Sequence, residues 1–297
     1  MNLQHLFHEK ITKQTEISTG FSTDKKFIIN DNYLVRVMPL DKFNHFQTVF
    51  EVQKKFYTIA LCQKPIKLVK SKDNVYYITN YIKGKDGLEV ITTYTKMRQY
   101  ELGFIAAVEL SKFHNSNPLP SFNVKKYYQT YLQEKVELAS NQKVRTLLPE
   151  IDEIIQIVYS NIHHLYQLNG VQTHADYHLF NMIFDNGEYK GVIDFERVRP
   201  GIFLTDFRNN TPHNSSVSPE FASGFIDGYL DRNPIDDFFL LYNIHDLLMS
   251  ITAIPWVLEH DYKNLNKTIQ IIQNIYSLKS NLRNTPHWYI GKGKTND

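Results

Sequence analysis

Apolar residues fall in short runs between turn signals over the first ninety positions, and at helical spacing over most of the rest. Glu16 to Ile29, Asn32 to Met38 and Val75 to Ile82 are rich in β-branched and aromatic residues. Gly20, Asn30-Asp31-Asn32 and Ser71-Lys72-Asp73-Asn74 punctuate them, so these runs read as strands. Between them, Phe43, Phe46, Val49, Phe50 and Phe56 predict a helix over Phe43 to Leu61. From residue 94 the pattern turns helical. Tyr100 to His114 places Leu102, Ile105, Ala106, Val108, Leu110 and Phe113 on one broad face, and Asp152 to Leu168 and Phe221 to Leu230 repeat the pattern. Ile235 to Leu258 is apolar enough to be a largely buried helix, and residues 181–195 form one β-rich island turning at Asp185-Asn186-Gly187. The layout is α+β: a small lobe over residues 1–82, a linker over 83–90 with Gly84 and Gly87 among charges, and a mainly helical lobe over 91–297 holding the hairpin.

Composition narrows the class. With 297 residues the chain can bury about three-quarters of its extended surface, so it needs no disulfide or structural metal. Cys62 is the single cysteine, which excludes an intrachain disulfide framework and suits a reducing compartment. The first ten residues carry charge where a signal peptide needs an apolar run, and no stretch approaches eighteen uninterrupted apolar residues. The expectation is a cytoplasmic protein without a membrane span. A net charge of +2 argues against a dedicated nucleic-acid binder.

Chemistry concentrates in His174-Ala175-Asp176-Tyr177-His178-Leu179-Phe180-Asn181 and in Val192-Ile193-Asp194-Phe195-Glu196. A metal hydrolase would use His174, Asp176 and His178 on one face of a strand. No second His/Asp cluster follows to complete the shell. Phosphoryl transfer fits better. It needs a carboxylate at the acceptor hydroxyl, here Asp176, and an amide plus a carboxylate for Mg²⁺, here Asn181 and, thirteen residues on across the hairpin, Asp194.

These segments resemble the His-x-Asp-x-x-x-x-Asn loop and Asp-Phe metal motif of the protein-kinase-like fold. More closely, together with Glu101 to His114, Gly201 and Asp206-Phe207, they resemble the aminoglycoside phosphotransferase and choline kinase family of small-molecule kinases, over roughly residues 15–260. The resemblance implies a two-lobe kinase-like fold, Mg²⁺ and ATP or GTP as cofactors, and transfer to a small-molecule hydroxyl. It assigns Arg36 to the α- and β-phosphates, with Glu51 in the following helix as its ion-pair partner. Ser22 and Thr23 would cover the phosphates from a turn with one glycine, a departure from the Gly-x-Gly-x-x-Gly of protein kinases. Backbone groups near Asn80 and Ile82 would bind adenine, and Ile193 would close the adenine slot. His174 would anchor the loop; His178 has no role in the family. A nucleotide-binding pseudokinase that serves as an interaction module is the alternative outside enzymes.

Charge distribution bears on the acceptor. Residues 1–90 carry fourteen bases and nine acids, whereas residues 216–265 carry eight acids and two bases, a local charge of −6. An acidic helical lobe suits a cationic acceptor such as an amino sugar; macrolides, amino alcohols and sugars are the alternatives. Glu259 and Asp261, after the apolar run Ile251 to Leu258, are the first candidate contacts. Asp236 and Asp237 at a helix start come second, and Glu196 third.

Overall fold

The computed structural model describes residues 1–17 and 24–291. Along the chain, β1 (Gln14–Ile17), β2 (Lys25–Ile29) and β3 (Tyr33–Met38) lead into α1 (Phe43–Tyr57), and β4 (Pro65–Lys70), β5 (Val75–Asn80) and β6 (Lys85–Asp86) follow. Next come α2 (Gly87–Val90), α3 (Lys96–Ser116), α4 (Val124–Ala139), α5 (Gln142–Leu147) and α6 (Ile151–Asn161), ahead of β7 (Val171–Thr173). After β8 (Met182–Asp185), β9 (Glu188–Val192) and β10 (Arg199–Gly201), the rest is helical. It comprises α7 (Ser215–Val217), α8 (Pro219–Arg232), α9 (Phe238–Ser250), α10 (Ala253–His260) and α11 (Leu265–Tyr276). Two compact units result: Met1–Gly87 with Phe180–Val198, and Leu88–Leu179 with Arg199–Asp297.

The first unit is built on an antiparallel sheet of order β1-β2-β3-β5-β4. Alternation along β3 sends Val35 and Val37 to one face, where they pack with Phe27, Ile29, Tyr76 and Ile78 beneath Leu3 and Leu6. Arg36 points to the other face, in register with Lys26 and Tyr77. Helix α1 covers that face with Phe46, Val49, Gln53 and Phe56, Phe46 meeting Tyr77 edge-on at 5.3 Å. The hairpin β8–β9 turns through Asn186 and Gly187, both at positive φ, as an Asn-Gly turn favours. It belongs to this unit and not, as the sequence pattern suggested, to the helical part, because it is tied down twice. Strand β6 pairs with β8, and Val192 exchanges backbone hydrogen bonds with Leu61 and Gln63 at 3.2 and 3.0 Å.

In the second unit α3 and α8 press together through glycine. A Cβ on Gly103 would lie 2.0 Å from the Phe221 carbonyl oxygen, and one on Gly224 2.0 Å from that of Tyr100. Ser218 caps α8 by accepting from the Phe221 amide at 2.9 Å, with Pro219 at the first helical position. The apolar stretch 235–258 is two helices bent by 44°, not one. Pro255 lacks an amide hydrogen and so sits in the first turn of a new helix. Among the described residues no single helix is long and apolar enough to cross a membrane.

Candidate active site

Within the first unit, five charged side chains form one network. Arg36 is 6% exposed; its Nη2 donates to Glu196 Oε2 at 2.5 Å and Asp24 Oδ2 at 2.6 Å, and its Nη1 to Asp194 Oδ1 at 3.2 Å. Lys42 Nζ donates to Asp24 Oδ1 at 3.1 Å and Glu196 Oε1 at 3.2 Å. The guanidinium lies 5.0 Å from the centre of the Phe46 ring. Burial works against its charge, but the Asp194 and Glu196 carboxylates outweigh burial and raise its pKa. Burial likewise pushes the Glu196 carboxyl up, and Arg36 and Lys42 overcome this and hold it below the usual carboxylate range.

Two sequence expectations change here. Glu51 is exposed and is not bonded to Arg36. The apolar stripe Phe46, Val49, Phe56 fixes the rotation of α1, and Glu51 falls outside it, so Phe46 faces the cation and Asp24 supplies the buried acid. Glu196, expected against the acceptor, is instead spent on Arg36 and Lys42.

Asn181 and Asp194 are brought together by the ladder, since the Ile193 amide donates to the Asn181 carbonyl at 2.8 Å. Asn181 is buried at 4% exposure, whereas the Asp194 side chain is 37% exposed. Asp194 takes a left-handed φ of 61°, an uncommon conformation for a residue with a side chain. The buried Phe195 next to it packs edge-on against Phe56 at 5.1 Å and pins this turn. An amide and a carboxylate oxygen are hard donors that suit Mg²⁺ shared with phosphates. Around the expected adenine contacts, the Asn80 amide donates to the Lys64 carbonyl and its own carbonyl accepts from Gln63 Nε2, both at 3.0 Å. The Asn80 backbone is therefore committed within the sheet. Ile82 and Ile193 are half-buried. Ser22 and Thr23 lie outside the described residues.

In the second unit the loop carrying Asp176 hangs on Asp206, which is 1% exposed. Its carboxylate accepts from the amides of Ala175 at 2.5 Å and His174 at 3.1 Å, and pairs with His114 Nε2 at 2.9 Å. His114 Nδ1 in turn meets the Tyr229 hydroxyl at 2.8 Å. Ala175 holds a φ of 63°, stored strain that these bonds sustain. The buried His174 ring accepts the Asp176 amide at 3.2 Å, and Tyr177 donates to the Ala106 carbonyl at 2.9 Å. So His174 steadies the loop from inside. The loop is not a strand, and His174, Asp176 and His178 do not share a face as a metal hydrolase would require. Asp176 Oδ1 accepts from Asn209 Nδ2 at 3.1 Å and lies 3.5 Å from His178 Nε2 and 3.9 Å from Arg208 Nη2. His178 stacks on His213, centroids 5.3 Å apart. Burial, with His178 beside it, pulls the His213 imidazole down to about 4. Sequence reasoning missed Asn209 and Arg208, whose only signal was their place after Asp206-Phe207.

The acids of residues 216–265 do not converge. Asp237 is bound by Arg283 through two bonds of 3.0 Å. Asp261, just before the 3₁₀ turn Tyr262–Asn264, accepts from the Asn264 side-chain Nδ2 at 2.7 Å. Glu259 and Asp236 are exposed, Glu259 with His260 3.8 Å away. Asp227 accepts from the hydroxyls of Tyr100 and Tyr289, both at 2.6 Å, and Asp246 from Thr211 at 2.5 Å. Asp227, Asp237, Asp246 and Asp261 are each bound where they stand and Glu259 and Asp236 are exposed, so the structure brings no set of these acids together as a shared acceptor contact.

A small antiparallel sheet with a buried cation, and a helical unit with an anchored His-x-Asp loop, define a kinase-like phosphotransferase. The phosphotransferase enzyme family, APH, matches residues 13–238, and the chain belongs to this family. No curated protein matches it in sequence. Among solved structures it is similar to the ADP-bound aminoglycoside phosphotransferase APH(2'')-Ib, with 22% identity, a TM-score of 0.64, and 90% of this chain and 95% of that one covered. The gentamicin complex of APH(2'')-IIa gives 22% identity and a TM-score of 0.63 over 95% and 94%. A thermostable APH(4)-Ia in ternary complex with AMP-PNP and hygromycin B gives 12% identity and a TM-score of 0.69 over 92% and 95%. At these identities the likeness is one of fold.

Proposed function

We propose that the protein transfers the γ-phosphoryl group of Mg²⁺-bound ATP or GTP to a hydroxyl of a small molecule. The acceptor oxygen attacks the γ-phosphorus, the bond to the β–γ bridging oxygen breaks, and the nucleoside diphosphate leaves. Asp176 orients the hydroxyl and takes its proton. Arg36 binds the phosphates, and Asn181 and Asp194 hold Mg²⁺, which when bound offsets the phosphate charge. Ile82 and Ile193 flank the base.

The observation that carries this reading is the fixing of Asp176 by Asp206 through two loop amides and a left-handed Ala175. A binding module has no need to hold that carboxylate under strain. Nucleotide consumption is measured with Mg²⁺ against a panel of aminoglycosides, macrolides, amino alcohols, sugars and hydroxy acids. Asp176→Asn lowers turnover by at least ~10²-fold with nucleotide affinity unchanged. Asp194→Ala weakens Mg²⁺-dependent nucleotide binding. Turnover in Asp176→Asn equal to that of the unaltered protein overturns the assignment.

A further inference from the structure

In the first unit Lys26 stands directly across the strand pair from Arg36, as its Cα partner in the β2–β3 ladder. Phe27 and Ile29 on the same strand are buried in the apolar core on one face of the sheet. Alternation therefore sends Lys26 to the opposite face, the one that carries Arg36. Like charges directly opposite each other destabilise an antiparallel pair. Lys26 is also half-buried. Burial, and then the Arg36 charge, lower the pKa of its amine against the pull of Asp194, Asp24 and Glu196. Those three acids are already engaged. Asp24 and Glu196 each accept from both Arg36 and Lys42, and Asp194 accepts from Arg36.

Among the described residues the Lys26 ammonium makes no hydrogen bond and no ion pair, and the sequence between Ile17 and Asp24 contains no acid that could serve it. Beside it, Nε of Arg36 is buried without a hydrogen-bond partner. Buried or half-buried donors left in this state destabilise the unliganded protein until an acceptor arrives. A lysine kept only for solubility belongs on an exposed position, not opposite an arginine on a partly covered face. Resting on the phosphotransfer reading above, we propose that Lys26 is a second phosphate-binding cation, which binds the polyphosphate of the nucleotide beside Arg36. Lysine meets phosphate as a point charge, and the guanidinium meets it as a fork. The repulsive pair is then the unliganded form of a site that a polyanion completes. Lys42 is set apart from this role by its ion pairs with Asp24 and Glu196.

The test sets the whole protein beside Lys26→Met, which keeps a long side chain without the charge, and Lys26→Arg, which keeps the charge. Melting is measured without ligand, and ATP and GTP are each titrated by calorimetry with Mg²⁺ present. Lys26→Met melts at or above the temperature of the unaltered protein, because it removes a repulsion and a half-buried charge. It binds the preferred nucleotide ~10-fold more weakly, a difference of about 1.4 kcal/mol, and added salt erodes its affinity less. Lys26→Arg recovers most of the lost affinity. A Lys26→Met protein that binds nucleotide as tightly as the unaltered one overturns the proposal. So does one that melts lower, since Lys26 then supports the fold, and so does a Lys26→Arg protein as weak as Lys26→Met. Nucleotide consumption is followed in parallel across the acceptor panel. Its absence with the Lys26 effect intact sinks phosphotransfer and leaves the phosphate contact standing. Its presence, with nucleotide affinity unchanged in Lys26→Met, sinks the phosphate contact alone. An unaltered protein that binds neither ATP nor GTP sinks both.

Discussion

Replacing Asp24 with Asn tests which acid supports the strand cation. Asp24 has no exposed side-chain surface, and it contacts both Arg36 and Lys42. Stripping a buried ion of its only partner costs about 3–5 kcal/mol. Arg36 keeps Glu196 and Asp194, and the asparagine retains an amide oxygen as acceptor, so the loss is smaller. A charge-assisted hydrogen bond, worth about 1.5–3 kcal/mol, sets its scale. At about 2–4 °C per kcal/mol, melting of the ligand-free protein falls by about 3–12 °C. Glu51→Gln, on an exposed helix position, changes stability by less than about 0.5 kcal/mol. Thermal unfolding of the two variants side by side is the assay. If Glu51→Gln melts as low as Asp24→Asn, the rotation of α1 and the reassignment of the ion pair are both wrong.

Two further outcomes follow from the helical unit. Gly224→Ala gains about 1 kcal/mol of helix propensity but drives a methyl into the Tyr100 carbonyl. Overpacking against backbone outweighs that gain, with a net loss reaching about 3 kcal/mol in urea unfolding; a variant as stable as the parent refutes the close crossing. The pH dependence has a definite sign. His213 and His245 are held down to about 4 and 3, below an ordinary value of about 6.5, and burial pushes Asp246 up to about 7. Between about pH 4 and 6.5 the unfolded chain takes up two protons on the histidines and gives up the one held by Asp246, a net uptake of one. These groups therefore make stability fall on acidification from about pH 6.5, by about 1.4 kcal/mol per unit. From about pH 6.5 to 7 Asp246 alone acts, and stability falls as pH rises. Asp246→Asn removes the opposing proton and steepens the acid side. Urea midpoints across this range check it, and stability that increases from pH 6.5 to 5 contradicts the assignment.

The legible parts of the chain are those whose pattern is local. The Asn186-Gly187 turn, the apolar stripe of α1 and the spacing of Asp176, Asn181 and Asp194 are read within twenty residues of one another. Strand β4 escaped because Pro65 opens it and lysines line it at the sheet edge, where alternation is weak. The role of Asp206 escaped for another reason. Its three partners, His114, His174 and Ala175, come from two other segments, and no window along the chain contains them all.

The acids of residues 216–265 show how far a linear count misleads. Summing acids over fifty residues treats a segment as though it faced one way, but a helix turns successive side chains by about 100°. Of the eight acids in residues 216–265, Asp227 and Asp246 are buried and satisfied by hydroxyls, Asp237 is held by Arg283, and Asp261 closes a turn. None of these carboxylates presents an uncommitted charge. The two arginines Arg199 and Arg208 precede the segment and never entered its sum. They are brought together by β10 and the turn that follows Asp206, the same turn that anchors the Asp176 loop. The turn that anchors the Asp176 loop thus also sets a cation, Arg208, 3.9 Å from its carboxylate.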